Sequence, residues 1–340
     1  MICNIIINMP LKPGKVAPEL LEQVLKKLNC KSPHLLVGPA YGVDGAIISI
    51  NDEMVAVSSD PITFTSVDNV YYLFACNIND LISMGARPEF FGINVLFHEG
   101  VKEEDVIRTF DEISRFSKAF QLCVITGHTE VTPGLKDTIL SGFIMGRVVR
   151  EVSPLKVKPG HFICQIKGVA IEGTCIIARG KFQELLDNFG FDFASNCKNF
   201  LVNPGICLYD VGLRLLTEYD VKNLHDPTEG GILTALYEAL IAAGLGGIIH
   251  SDRIIVYEET RKLCEYYRID PLGLISSGSI IAFAEPEEAE RICRDFEKDG
   301  IPARIIGEVT SRDSGIILEE GGRRRKLTPF SRDQILEVLE

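Results

Sequence analysis

Three aspartates in the first half of the chain stand where a carboxylate could take up a cation. Asp44 lies in the glycine-rich run VGPAYGVDGAIIS, Asp60 closes MVAVSSD, and Asp80 falls in CNINDLISMGARP. Such carboxylates hold a hard cation like Mg2+ while nucleotide phosphates fill its other positions. Aspartate is also common at turns and caps, and spacing alone does not bring the three together. A second cluster is QLCVITGHTEVTPG, where Gly127, His128, Thr129 and Glu130 stand at the end of an apolar strand pattern. Polar residues just past a buried strand often form ligand sites in α/β proteins; a solvated turn with a capping threonine fits equally well. A third is HDPTEGGILTALYEALIAAG, with Asp226 ahead of Gly230-Gly231 and an amphipathic helix. Glycine at a helix start lets backbone N–H groups approach an anion that the dipole favours, and the same pair also serves packing. Glu172-Gly173-Thr174, at another expected helix start, is a weaker case.

The elements that would position these residues follow from periodicity. A helix is expected over Pro18–Leu28, with Leu21, Val24, Leu25 and Leu28 at helical spacing. A strand entered from the Asp44 turn and a second over Met54–Asp60 read as a hairpin. Val70–Gly85 is a helix with one broad face of Val70, Leu73, Phe74, Asn77, Leu81 and Met84. Strands over Phe90–Phe97, Leu122–Thr126 and Thr138–Val149, with a helix from Lys102, give a sheet carrying helices on one face. The run EVSPLKVKPG, at 151–160, is a domain boundary by its prolines, lysines and glycine. Beyond it, strands are expected over His161–Lys167, Ser279–Glu285, Ala303–Val309 and Gly315–Glu319. Helices are expected over Gly173–Arg179, Tyr209–Tyr219, Gly231–Ala243, Glu258–Tyr267, Glu287–Lys298 and Arg332–Glu340. The basic run GGRRRK, at 321–326, is a solvated hairpin or turn.

Composition narrows the class. The 340 residues are 46% hydrophobic and 24% charged, which is globular, and the length suits two domains. A net charge of −12 argues against nucleic-acid or anionic-membrane binding. Apolar runs are too short for a bilayer span, and the apolar start MICNIIINMP, with no basic flank, reads as a strand or arm. None of the ten cysteines is in CxxC or zinc spacing. They are expected to be reduced core residues of a cytoplasmic protein.

Taken in order, VGPAYGVDGAII, VSSD, NDLISMGARP, VITGHTEV, IEGT and HDPTEGGIL resemble the aminoimidazole ribonucleotide synthase (PurM-like) superfamily over nearly the whole chain. The nearest likeness is to its hydrogenase-maturation branch, the HypE-like proteins. The resemblance implies an α/β (α+β) fold of two domains. Residues 1–150 would form an ATP-binding domain that dimerises through its sheet, and residues 155–340 a second α/β domain. It implies a homodimer that binds ATP and Mg2+ and phosphorylates an amide or acid-type oxygen of a small-molecule or protein-bound substrate. Other hydrogenase maturation proteins would be its partners. Asp44, Asp60, Asp80 and Asp226 would hold the metal. Gly127, His128 and Thr129 would lie near the phosphates, and Gly230 and Gly231 would open the phosphate-facing helix. His128 or Glu130 would serve as proton acceptor or phosphate contact.

The chain departs from the pattern at several points. Val43 replaces the first of a usual aspartate pair, His128 replaces the aspartate of Gly-Asp-Thr, and Glu229 stands where the branch usually has arginine. An anion there should weaken nucleotide binding unless Mg2+ offsets it. The resemblance implies, for HypE proteins, a carbamoyl group carried on their own C-terminal cysteine and dehydrated to a cyano group. This sequence ends in ILEVLE, its last cysteine being Cys293, so tail-based cyanation in its usual form is not expected. Two alternatives stand beside the enzyme reading: a non-catalytic nucleotide-binding partner in metallocentre assembly, and a small-molecule kinase similar to thiamine-monophosphate kinase.

Overall fold

The computed structural model describes residues 16, 18–28, 32–40, 42–62 and 68–339. The strand or arm expected over residues 1–10 lies outside them. The first sheet contains β1 (Leu35–Val37), β2 (Ala46–Ile50), β3 (Glu53–Ser58), β4 (Pro61–Ile62), β5 (Ala86–Phe97), β6 (Cys123–Val131) and β7 (Ile139–Val148). Its order is β1-β2-β3-β7-β5-β6, with β4 also on β7. The expected hairpin is present as antiparallel β2 and β3. A helix enters this half at α1 (Pro18–Leu25), continued by a 3-10 turn to Leu28. The sheet is covered on one side by α2 (Asn69–Ser83) and α3 (Glu103–Ala119). β5 and β6 are parallel and α3 is their crossover, as parallel neighbours require.

The second half has α4 (Ile171–Gly180), α5 (Phe182–Phe189), α6 (Phe191–Asn199), α7 (Tyr209–Glu218), α8 (Gly231–Ala242), α9 (Glu258–Tyr267), α10 (Pro286–Lys298) and α11 (Leu336–Leu339). Its strands are β8 (Phe162–Ile166), β9 (Asn223–His225), β10 (Gly246–His250), β11 (Ile280–Ala284), β12 (Ala303–Thr310), β13 (Ile316–Glu320) and β14 (Arg323–Lys326). They order as β14-β13-β10-β12-β8-β11-β9. The basic run is the exposed edge strand β14, whose charges discourage edge-to-edge pairing. α5, α6, β9 and β10 had no clear sequence signal. β9 is three residues long, too short for an alternation to register, and Gly190 separates two short helices.

α2 departs most from its expected pattern. The sequence gives it one broad face, yet Tyr72, Ala75, Ile78, Asn79, Asp80, Ile82 and Ser83, all off that face, are buried as well. A helix buried all round must be covered on both sides. Here Phe74 stacks on Phe91 of β5 at 4.7 Å, while the other flank meets α7 and β9 of the second half. Gly212 of α7 permits that contact, since a Cβ there would lie 2.1 Å from Ile82 Cγ2. Asn79 fastens the seam. Its Nδ2 donates to the Ile206 carbonyl at 2.9 Å and its Oδ1 accepts from Leu208 N–H at 2.8 Å.

Candidate functional site: an acid cluster in the domain seam

Because α2 is clamped in the seam, the carboxylates of both halves meet at its C-terminal end. Asp80 is buried on α2 and accepts from Ser58 Oγ at 2.7 Å. Asp226 follows β9, is also buried, and accepts from Ser83 Oγ at 3.0 Å. Asp44, half-buried ahead of β2, lies 3.1 Å from His225 Nδ1. Ligating atoms of Asp44, His225 and Asp226 lie within 4.8 Å of one another. Asp60 stands at the exposed side, its N–H bonded to Asn77 Oδ1 at 3.2 Å. The cluster therefore runs from the buried pair Asp80 and Asp226 out to solvent.

The electrostatics are those of a site short of positive charge. Burial, then Asp60, Asp226 and Asp44 nearby, raise the Asp80 carboxyl well above its ordinary range, against the Ser58 bond. Burial and Asp44 push Asp226 up to about 7, although His225 and Ser83 pull the other way. Burial alone would lower His225, but Asp44 and Glu238 more than offset it and hold the ring as an imidazolium. Its Nε2 lies 3.5 Å from Glu238 Oε2, an ion-pair distance too long for a good hydrogen bond. One imidazolium does not balance these carboxylates. Convergent carboxylate oxygens whose protons are held abnormally tightly fit a hard divalent cation such as Mg2+. Asp44, Asp60, Asp80 and Asp226 are the residues that would hold it.

The other expected residues are placed differently. Gly127, His128, Thr129 and Glu130 do not follow a strand. They lie inside β6, which runs on to Val131 and is exposed throughout. It is a sheet edge, so Cys123 on it is exposed rather than core. His128 Nε2 pairs with Glu130 Oε2 at 3.0 Å, and Thr132 Oγ1 donates to Glu130 at 2.8 Å. Those bonds hold the Glu130 carboxyl below its ordinary value. Gly127 is level with Ile93, and Ile93 with Gly142, whose N–H donates to the Asp60 carbonyl. The segment is thus three strand spacings, about 14 Å, along the sheet from the Asp60 end of the cluster.

Gly230 and Gly231 open α8 with φ of 79° and 68°, a conformation that favours glycine. A Cβ on Gly231 would lie 2.4 Å from the Leu272 carbonyl. Their own amides are taken: Gly230 N–H donates to Asp333 Oδ2 at 2.6 Å and Gly231 N–H to the Thr228 carbonyl at 3.1 Å. Amides available to an anion therefore begin with Ile232, in the first turn of α8. At α4, Glu172 is buried, with one carboxylate oxygen unpartnered, and burial raises it to about 7. An acid in that first turn disfavours an anion there.

Sequence reasoning passed over Ser58, Ser83, Asn79, His225, Glu238 and Asp333. Ser83 had a local signal, three residues from Asp80 on one helical face. Asp333 had none. It lies 103 residues from Gly230 and also accepts from the N–H groups of Ile275 and Ile335.

Comparison with known proteins agrees with this architecture. The family model for the N-terminal domain of AIR synthase related proteins matches residues 42–148, and that for the C-terminal domain matches residues 207–319. A protein of Methanocaldococcus jannaschii, assigned by name to hydrogenase expression and formation, is 31% identical over 326 residues, 90% of this chain and 91% of that one. Carbamoyl dehydratase HypE of Rhodobacter capsulatus is 25% identical, covering 96% and 93%. The crystal structure of the hydrogenase maturation protein HypE in complex with ATP superposes with a TM-score of 0.69 at 22% identity, covering 93% and 91%. At that identity the likeness shows the fold. Both family models in chain order, with a relative matched almost end to end, establish that this chain belongs to the AIR synthase related family, as a HypE-like member with a PurM-like fold.

Proposed function

We propose that this protein is a Mg·ATP-dependent enzyme that phosphorylates an amide or acid-type oxygen during hydrogenase metallocentre maturation, working as a homodimer. The observation that carries this reading is that Asp44 and Asp226, from the two halves, converge with His225, while Asp60 and Asp80 stand close enough to share the same uncompensated negative field. When bound, Mg2+ would neutralise phosphate charge and orient the transferred group. The chain's own residues prepare that role. Ser58 and Ser83 aim the Asp80 and Asp226 carboxylates, and the imidazolium of His225 holds Asp44. The amides that follow Gly231 would meet phosphate oxygens. His128 and Glu130, already hydrogen-bonded to each other, would exchange a proton with the substrate or contact the phosphates.

The open edge supports the dimer. Val124, Ile125 and Val131 of β6 and Phe143 of β7 are large apolar residues left exposed. A sheet edge and face of this kind call for a partner. The HypE complexes with ATP and with HypF are solved structures of relatives, and they suggest the nucleotide and the maturation partner to test.

The experiment is Mg·ATP binding and ADP release by wild type, Asp80→Ala and Asp226→Ala, with and without hydrogenase-maturation partners and thiamine monophosphate. We expect Mg2+-dependent binding that falls at least about tenfold in both variants, about 1.4 kcal/mol. No nucleotide binding at millimolar ATP rejects the proposal. Binding without ADP release under every condition makes the protein a non-catalytic partner, and ADP release that needs thiamine monophosphate makes it a small-molecule kinase.

A further inference from the structure

Elsewhere in the domain seam lies a buried cation with no carboxylate partner. Lys167 follows β8, is 5% exposed and sits at φ 65°, in the left-handed region. Its backbone is pinned in that conformation. The N–H donates to the Pro302 carbonyl at 2.7 Å, and the carbonyl accepts from Gln165 Nε2 at 3.0 Å. The ammonium donates to the Gly205 carbonyl, which uses one of its three donors. Among the described residues no carboxylate pairs with it, and burial lowers it to about 8. Gln165 is level with His225 across β11, so two strand spacings, about 10 Å, separate this lysine's strand from the acid cluster.

The lysine borders a cavity of about 720 Å³ between the two halves, within the range of small-molecule sites at domain interfaces. One wall is Tyr71 and Phe120 from the first half, with Tyr209 5.9 Å from Phe120. Another is Phe200 and Tyr257, edge to face at 5.5 Å. The Tyr257 hydroxyl is shielded from water, with the Gly168 backbone beside it but no hydrogen bond of good geometry. Exposed Asn199 and Asn203 stand at the mouth. α7 and α9 begin here, but Asp210 and Glu259 in their first turns answer those helix dipoles. The charge left unanswered is the single one on Lys167.

We propose that this cavity is a second ligand site, separate from the acid cluster, that takes a small aromatic or heteroaromatic monocarboxylate. Lys167 holds the carboxylate and the tyrosine and phenylalanine rings hold the flat body. A buried ammonium without a counter-ion is costly, and one carboxylate satisfies it. A dianionic phosphate would leave a charge uncompensated beside Asp210 and Glu259, and no arginine lines the cavity to take it.

Fluorine NMR on the full chain tests this with 4-fluorobenzoate, 4-fluorobenzamide and 4-fluorophenyl phosphate, each titrated to about 10 mM. We expect saturable broadening of the benzoate, binding at least about tenfold weaker for the other two, and a similar loss in Lys167→Met. No benzoate binding, binding that Lys167→Met leaves unchanged, or tighter binding of the phosphate overturns the proposal. A measurement on wild type avoids any folding defect of the variant. Trinitrobenzenesulfonate labelling of Lys167, located by peptide mass, must be slowed by 4-fluorobenzoate; absence of protection also overturns it.

Discussion

Asp226→Asn should stabilise the metal-free protein while removing its response to Mg2+. Asp226 is 3% exposed, and its carboxyl rises from an ordinary 3.8 to about 7 because burial and Asp44 disfavour the charge. At 1.36 kcal/mol for each tenfold change in proton affinity, that rise costs the folded state about 4 kcal/mol once the pH exceeds 7. Asparagine keeps an oxygen to accept from Ser83 Oγ and carries no charge. Between pH 4 and 7 the folded carboxyl binds more proton than the unfolded one, so the Asp226 contribution to stability falls as pH rises through that window and is level above it. Glu172, raised to about 7 by burial, acts with the same sign in both proteins and cancels in the comparison. The assay is thermal unfolding in EDTA at pH 5 and pH 8, repeated with Mg2+. The variant should melt several degrees above wild type at pH 8. The gap should narrow at pH 5, and Mg2+ should stabilise wild type alone. A variant that melts at or below wild type at pH 8 in EDTA refutes the claim that the cluster lacks positive charge.

The seam and the glycine loop make further predictions. Asn79→Ala strands the buried Ile206 carbonyl and Leu208 N–H and should cost about 3 kcal/mol, read as a lower urea midpoint with an unchanged slope. Asp333→Ala removes the acceptor of three backbone N–H groups; a similar loss is expected, with weaker Mg·ATP binding because the Gly230 loop loosens. Gly212→Ala forces a methyl against Ile82 and should destabilise by about 1–3 kcal/mol in the same urea assay.

Much of the first half was legible because its signals are local. Asn69–Ser83 repeats apolar residues at helical spacing and ends at Gly85, which takes φ 80°. The β2–β3 hairpin has a two-residue polar turn, Asn51-Asp52, with both residues at positive φ. The extent of β6 was not legible. Gly127 through Glu130 are polar and read as a strand's end, whereas an open edge tolerates polar residues on both faces. Nor did the apolar stripe of α2 foretell a helix buried all round, since its second covering comes from α7 and β9, far along the chain.

For the site, the residues in the sequence set the chemistry available: four aspartates and a Gly-Gly helix start, in an order specific enough to indicate the family. Residue type and local backbone preference are properties of short segments, so they survive in the sequence. Only the tertiary structure decided which of these groups share a field. It brought Asp80 and Asp226, 146 positions apart, to one buried pocket and spent the glycine amides on Asp333 and Thr228. It also set Lys167 apart from the cluster beside a cavity of its own. Burial and proximity across the seam set proton affinity and unmet charge, and both arise only when the two halves close on α2.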